Sequence, residues 1–166
     1  MKLTVRQRKW LLSAHILFSA IWLGNSVVFV VLGIVSATTG DPGVLSACYT
    51  VMHLLSTSSL RASTIGTVVT GVLLSVLTSW GLFRYYWIIA KEGLTLLCIL
   101  LGAVGMYFWT LRGVTLIPAS GMDVWQQPDF VVNNGQLWIG IVLQALSLAA
   151  MIVLSVWKPW GRRKQK

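Results

Sequence analysis

Apolar residues gather along the chain into four long runs, at about 10–37, 62–83, 87–111 and 136–157. Each is at or above the roughly 20 residues a helix needs to cross a bilayer core, so each is read as a transmembrane helix. Between them lie breakers. The stretch Thr-Thr-Gly-Asp-Pro-Gly at 38–43 predicts a turn on both glycine and proline grounds. Residues 44–60 are apolar but diluted by Ser46, Tyr49, Thr50, His53 and the run 56–59, which fits either an interfacial amphipathic helix or an extension of the second span. Arg84 falls in a tight connection, 113–135 reads as a polar loop, and Lys158-Pro159 stops the last helix. Val35-Ser36-Ala37 resembles a signal-peptidase site. The run before it is far longer than the roughly 7–15 residues of a signal core, which predicts a retained helix.

Composition agrees with hydrocarbon as the solvent. The 166 residues are 56% hydrophobic and 10% charged, against about 25% charged in a soluble domain. The net charge of +9 does not point to nucleic acid, because the basic residues cluster at the two ends of the chain and no recognition module accompanies them. They read instead as a topology signal and as attraction to anionic lipid. With both termini in the cytoplasm, four spans place the terminal clusters, Arg84 and Lys91 inside, eleven of the 13 Lys and Arg, leaving Arg61 and Arg112 outside. Arg61 is then an anchor at the start of the second span or a contact for an anionic ligand. Trp10, Trp80, Trp87, Trp157 and Trp160 would ring the cytoplasmic interface, and Trp109 and Trp138 the outer one. Cys48 and Cys98 are expected at different depths and as free thiols.

Each span carries a seam of small and polar residues at three- and four-residue steps. In the first these are His15, Ser19, Trp22, Ser26, Phe29 and Gly33; in the third, Lys91, Thr95, Cys98, Gly102, Gly105 and Trp109; in the fourth, Gln136, Gly140, Gln144, Ser147, Met151 and Ser155. The second is sparser, with Ser63, Thr67, Thr70, Gly71 and Thr78. Such seams serve helix packing or line a ligand cavity. By helical rise, His15 lies roughly 8 Å deeper than Trp10. Lys91 and Glu92 lie roughly 6–8 Å deeper than Trp87, measured from the same side. A histidine, a lysine and a carboxylate at one depth suggest a proton-handling or ligand-anchoring group; the milder alternative is a snorkelling lysine, a paired Glu92 and a histidine bonded to a carbonyl. The two histidines do not suit one bis-histidine haem unless 44–60 folds deep into the bundle. No metal-ligand spacing, phosphate loop, catalytic triad or unbroken GxxxG occurs.

The string His15-Ile-Leu-Phe-Ser-Ala-Ile-Trp22-Leu-Gly24, then Thr70-Gly71, then Trp87-Ile-Ile-Ala-Lys91, resembles a family of predicted bacterial four-helix integral membrane proteins. More distantly it resembles the copper-resistance D family and the small haem-containing protoporphyrinogen oxidases. The resemblance covers the first three spans. It implies His15 as a haem or metal ligand, with Lys91 near it; the cofactor is left open, haem b being one candidate. The chain departs from the oxidases at Asn25-Ser26-Val27-Val28, where a Pro-Arg pair is expected a little further on. It also lacks methionine-rich copper-handling sequence.

The sequence therefore predicts an all-α, multi-pass membrane four-helix bundle of the bacterial cytoplasmic membrane, both termini cytoplasmic, with anionic lipid at that face. Its candidate cofactor-binding residues are His15, Lys91, Glu92 and Trp22, with His15 the candidate metal ligand. The function expected is haem or metal binding in the bundle, without an assigned reaction. The alternatives are a non-catalytic subunit of a larger membrane complex, packed through its small-residue faces or against a second copy, and a transport component. Transport is disfavoured at this level because no broken helix or midplane charge pair is apparent.

Overall fold

The computed structural model describes residues 3–78 and 81–161, and of Pro118 and Ala119 the backbone alone. Trp80 of the expected aromatic ring, and Lys2, Arg162, Arg163, Lys164 and Lys166 of the terminal clusters, lie outside the described residues. The protein is all-α, with four helices long and apolar enough to cross a membrane, packed as a bundle.

The first span is α1, Val5–Thr38. Thr4 caps it by accepting from the Gln7 amide at 3.2 Å, and the Gln7 side chain accepts from the Thr4 amide at 2.9 Å, a reciprocal capping box. The second span is two helices in series, α2 (Pro42–Thr57) and α3 (Ser59–Leu77). Asp41 caps α2 through the Gly43 amide at 2.7 Å, with Pro42 preset for the first turn. The third span is α4 (Tyr86–Ile99), a π-helical turn (Leu100–Gly105) and α5 (Met106–Ser120). A 3₁₀ turn, Gly121–Gln126, leads into α6, Pro128–Trp157. Lys158 ends α6 in the left-handed region at φ 45°. The end where α1 starts and α6 stops is called the terminal end below, and the other the loop end.

Three places bear on the boundaries of the sequence reading. Residues 44–60 extend the second span, the second of the two alternatives, with a local irregularity where they join it. They form α2, which packs along α5 and joins α3 through a break at Ser58 (φ −113°, ψ −93°). The break follows from the hydroxyl run. Ser56 and Thr57 bond back to the His53 carbonyl at 2.7 and 3.1 Å, and Ser58 to that of Leu54 at 2.6 Å, competing with the backbone ladder. Second, the expected polar loop at 113–135 is mostly helix. Asn133 is buried and donates to the Trp109 carbonyl at 2.9 Å, and the Tyr49 hydroxyl donates to Asn134 at 2.9 Å. Polar side chains with partners inside a bundle need no loop. Third, because α5 and α6 run longer, Trp109 and Trp138 lie well inside their helices. Trp109 stacks against Gly105 and Gly140, and Trp138 against Gly33.

The spans pack as a ring: α1 against α2, α3 and α6; the second span against the third mainly through α2 and α5; α4 and α5 against α6. Trp22, Phe29, Tyr49, Met52, Phe130 and Ile141 fill the centre. The outer surface carries Ile16, Val31, Val69, Leu96 and Leu146, an apolar face that matches lipid rather than water. Most of each seam faces inward: Trp22, Ser26, Phe29 and Gly33 on α1, Ser63 and Thr70 on α3, Cys98 and Gly102 in the third span, and Gly140, Gln144 and Ser147 on α6 are buried, whereas Gln136 is exposed. Cys48 and Cys98 are buried free thiols on α2 and α4.

Candidate functional site

Near the terminal end, each span contributes one polar side chain at a common level. His15 Nδ1 on α1 lies 2.9 Å from the Thr70 hydroxyl on α3. Lys91 on α4 donates to the Ser155 hydroxyl on α6 at 2.7 Å. The α1–α6 contact between Ser26 and Gln144 fixes the register: His15 and Ser155 sit an equal number of residues from it towards the terminal end. Thus the structure brings His15 and Lys91 to one level.

The hydrogen-bond directions at His15 are set by its partner. The Thr70 hydroxyl has one proton, and it points back along its own helix to the Gly66 carbonyl at 2.6 Å. With that proton so engaged, its oxygen is an acceptor, and the His15 tautomer protonated on Nδ1 is the one that matches it. In a neutral imidazole this leaves Nε2 with a bare lone pair. Gly71 makes room for the ring: a Cβ there would come within 3.2 Å of His15 Cε1. Lys91 is similarly positioned, since Ser155 donates its own proton to the Met151 carbonyl at 2.7 Å and meets the ammonium with a lone pair.

Glu92 takes a different position. It makes no ion pair with Lys91 or Arg84 among the described residues, and its Oε1 is buried without a hydrogen-bond partner. Trp22 lies a turn or two further in, fully buried, with its indole N–H unpartnered. Next to it Ser26 accepts from Gln144 at 3.3 Å, and the Gln144 oxygen lies against Gly102 of the π-helical turn without a donor.

Sequence reasoning missed that His53 repeats the His15 arrangement at the loop half. Its Nδ1 lies 3.0 Å from the Thr110 hydroxyl, which donates to the Met106 carbonyl at 2.6 Å. The signal is there in retrospect: both threonines sit mid-helix, where a hydroxyl returns to the carbonyl four residues back. His53 and Thr70 are separated by about 25 Å of helical rise, so the two imidazoles serve different sites. No cluster of three His, Cys, Asp or Glu side chains occurs among the described residues.

Comparison with family models, curated proteins and solved structures returns no match. The resemblance noted in the first three spans rests on its short motifs alone.

Proposed function

We propose that this chain is a small membrane-embedded cofactor-binding protein in which His15 supplies the ligand nitrogen. One observation carries the reading. The Thr70 hydroxyl, committed to the Gly66 carbonyl, holds His15 with Nδ1–H inward and a bare Nε2, the arrangement in which protein imidazoles ligate a metal centre. Lys91, fixed by Ser155 at the same level, offers a cation to an acidic substituent of the ligand. Trp22 supplies an apolar wall with an unused N–H.

This donor set would suit a haem b, with His15 supplying the ligand nitrogen and Lys91 a cation for an acidic substituent. It suits a separate metal ion less, because only one strong ligand is at hand. A haem bound there would supply one-electron chemistry or an axial position for a small ligand. Glu92, next to Lys91 in α4 and buried at one oxygen without a partner, would take up or release a proton at that level. The protein would lie in the bacterial cytoplasmic membrane with both termini inside, as the distribution of Lys and Arg favours.

A second reading, a transport component, gains from the structure. The second span breaks at Ser58 and the third at Leu100–Gly105, and interrupted spans are where transporters build their sites. The spans run continuously, as expected, with these two local irregularities inside them.

The deciding experiment is an absorption spectrum with metal analysis on detergent-purified protein from haem-supplemented cells. A Soret band that is lost in His15→Ala, with that variant accumulating normally, is the expected result. Colourless, metal-free wild type would remove the proposal, and a stoichiometric co-purifying membrane protein would favour an accessory subunit.

A further inference from the structure

Arg61 does not stand at a membrane surface. The second span runs Pro42–Leu77, which puts Arg61 roughly 24–28 Å of helical rise from either end. The 3.0 Å contact between Asn25 and Ser59 sets the start of α3 beside the midpoint of the apolar run 10–37. In a hydrocarbon core of roughly 30 Å, that is the middle, beyond the reach of a snorkelling side chain.

A cation at that depth is costly unless it is paired, and among the described residues no acidic side chain pairs with Arg61. The chain's four acidic residues are Asp41, Glu92, Asp123 and Asp129. Three of them cap or flank helices at the loop end, and Glu92 lies in α4 towards the terminal end. The guanidinium lies instead over the Tyr107 ring, 4.8 Å from its centroid. The rings of His53 and Phe108 also neighbour Tyr107, each at 5.3 Å. The Nδ1 of His53 lies 3.0 Å from the Thr110 hydroxyl, which donates to the Met106 carbonyl, so the tautomer protonated on Nδ1 matches it and leaves the Nε2 lone pair as an acceptor. Arg61 and His53 thus both border Tyr107, close to Ser58 in the second span and just past the π-helical turn of the third.

We propose that Arg61, with Tyr107 and His53 beside it, forms an intramembrane binding site for the carboxylate of a lipophilic acid that enters sideways from the bilayer. A guanidinium matches a carboxylate with two parallel hydrogen bonds. The ligand must arrive uncharged to reach this depth, which a carboxylic acid can do and a phosphodiester cannot. On binding, the acid O–H breaks, its proton bonds to His53 Nε2, and the carboxylate is left on Arg61. The site lies about 14 Å of helical rise from Thr70 and does not rest on the cofactor reading.

The test uses the full chain in detergent, stripped of lipid, and titrated with oleate carrying ¹³C at the carboxyl carbon. Wild type should take up one equivalent saturably, with a carboxyl resonance distinct from micellar oleate and no competition from oleyl alcohol. Arg61→Gln should weaken binding at least tenfold and raise the melting temperature, because it removes an unpaired charge from hydrocarbon. Arg61→Lys should fall between the two, and His15→Ala should bind as wild type. Absence of saturable uptake by wild type, or equal uptake by Arg61→Gln, overturns the proposal. So does a co-purifying membrane protein whose release frees the Arg61 site, since a partner's carboxylate would then be the counter-ion.

Discussion

Replacing Thr70 by valine removes one oxygen from beneath the His15 ring and keeps the shape of the side chain. Thr70 is 7% exposed, so bulk water cannot take the place of the lost acceptor. An imidazole Nδ1–H kept in position would be left unpaired, at about 1–3 kcal/mol. Since about 1.4 kcal/mol is a tenfold change in an equilibrium, that cost is enough to move the proton to Nε2 in most molecules. The ligating lone pair would then point at the valine. The structure accordingly predicts a loss of about 10–100-fold in affinity for a cofactor held by His15, the range seen when the partner of a ligating imidazole is removed. The tautomer can be read directly from ¹⁵N-histidine NMR of protein without cofactor, because the chain has only two histidines. Wild-type His15 should show a protonated, pyrrole-type Nδ1 and a pyridine-type Nε2, and Thr70→Val should exchange them while leaving His53 unchanged. Thr110→Val should do the converse. Wild-type His15 carrying its proton on Nε2 would refute the reasoning, as would ring signals indifferent to the loss of Thr70.

Other expectations follow from packing and topology. Gly113→Ala would drive a Cβ into the Tyr49 ring, which is fully buried and tied to Asn134. Thermal unfolding in detergent should show a loss of about 1–3 kcal/mol. Gly24→Ala meets open space and should be neutral or gain up to about 1 kcal/mol from helix propensity in the same assay. Tyr49→Phe, which deletes only the bond to Asn134, should cost about 0.6–1.7 kcal/mol, the span for hydrogen bonds between membrane helices. A cysteine placed at Gly40 should be labelled by an impermeant maleimide on intact cells and one at Lys158 should not, with little background from the buried Cys48 and Cys98. Labelling of Lys158→Cys from outside would reverse the proposed orientation.

Much of this protein can be read without its fold. Four apolar runs and thirteen basic residues against four acidic ones settle the solvent and the helical class, because a backbone in hydrocarbon must satisfy its own hydrogen bonds. Spacing alone also identified the inward seams and marked His15, Lys91 and Trp22. What it could not decide was anything that depends on a partner from another span. Asn133 and Asn134 look like loop residues until Trp109 and Tyr49 stand opposite them. Arg61 looks like a surface anchor until α2 is joined ahead of α3 and carries it to the middle. His53 looks idle until Thr110 arrives across the second and third spans. Local pattern measures how a residue suits lipid or water, whereas a polar group inside a bundle is stable or costly according to what faces it, and only the packed helices supply that neighbour.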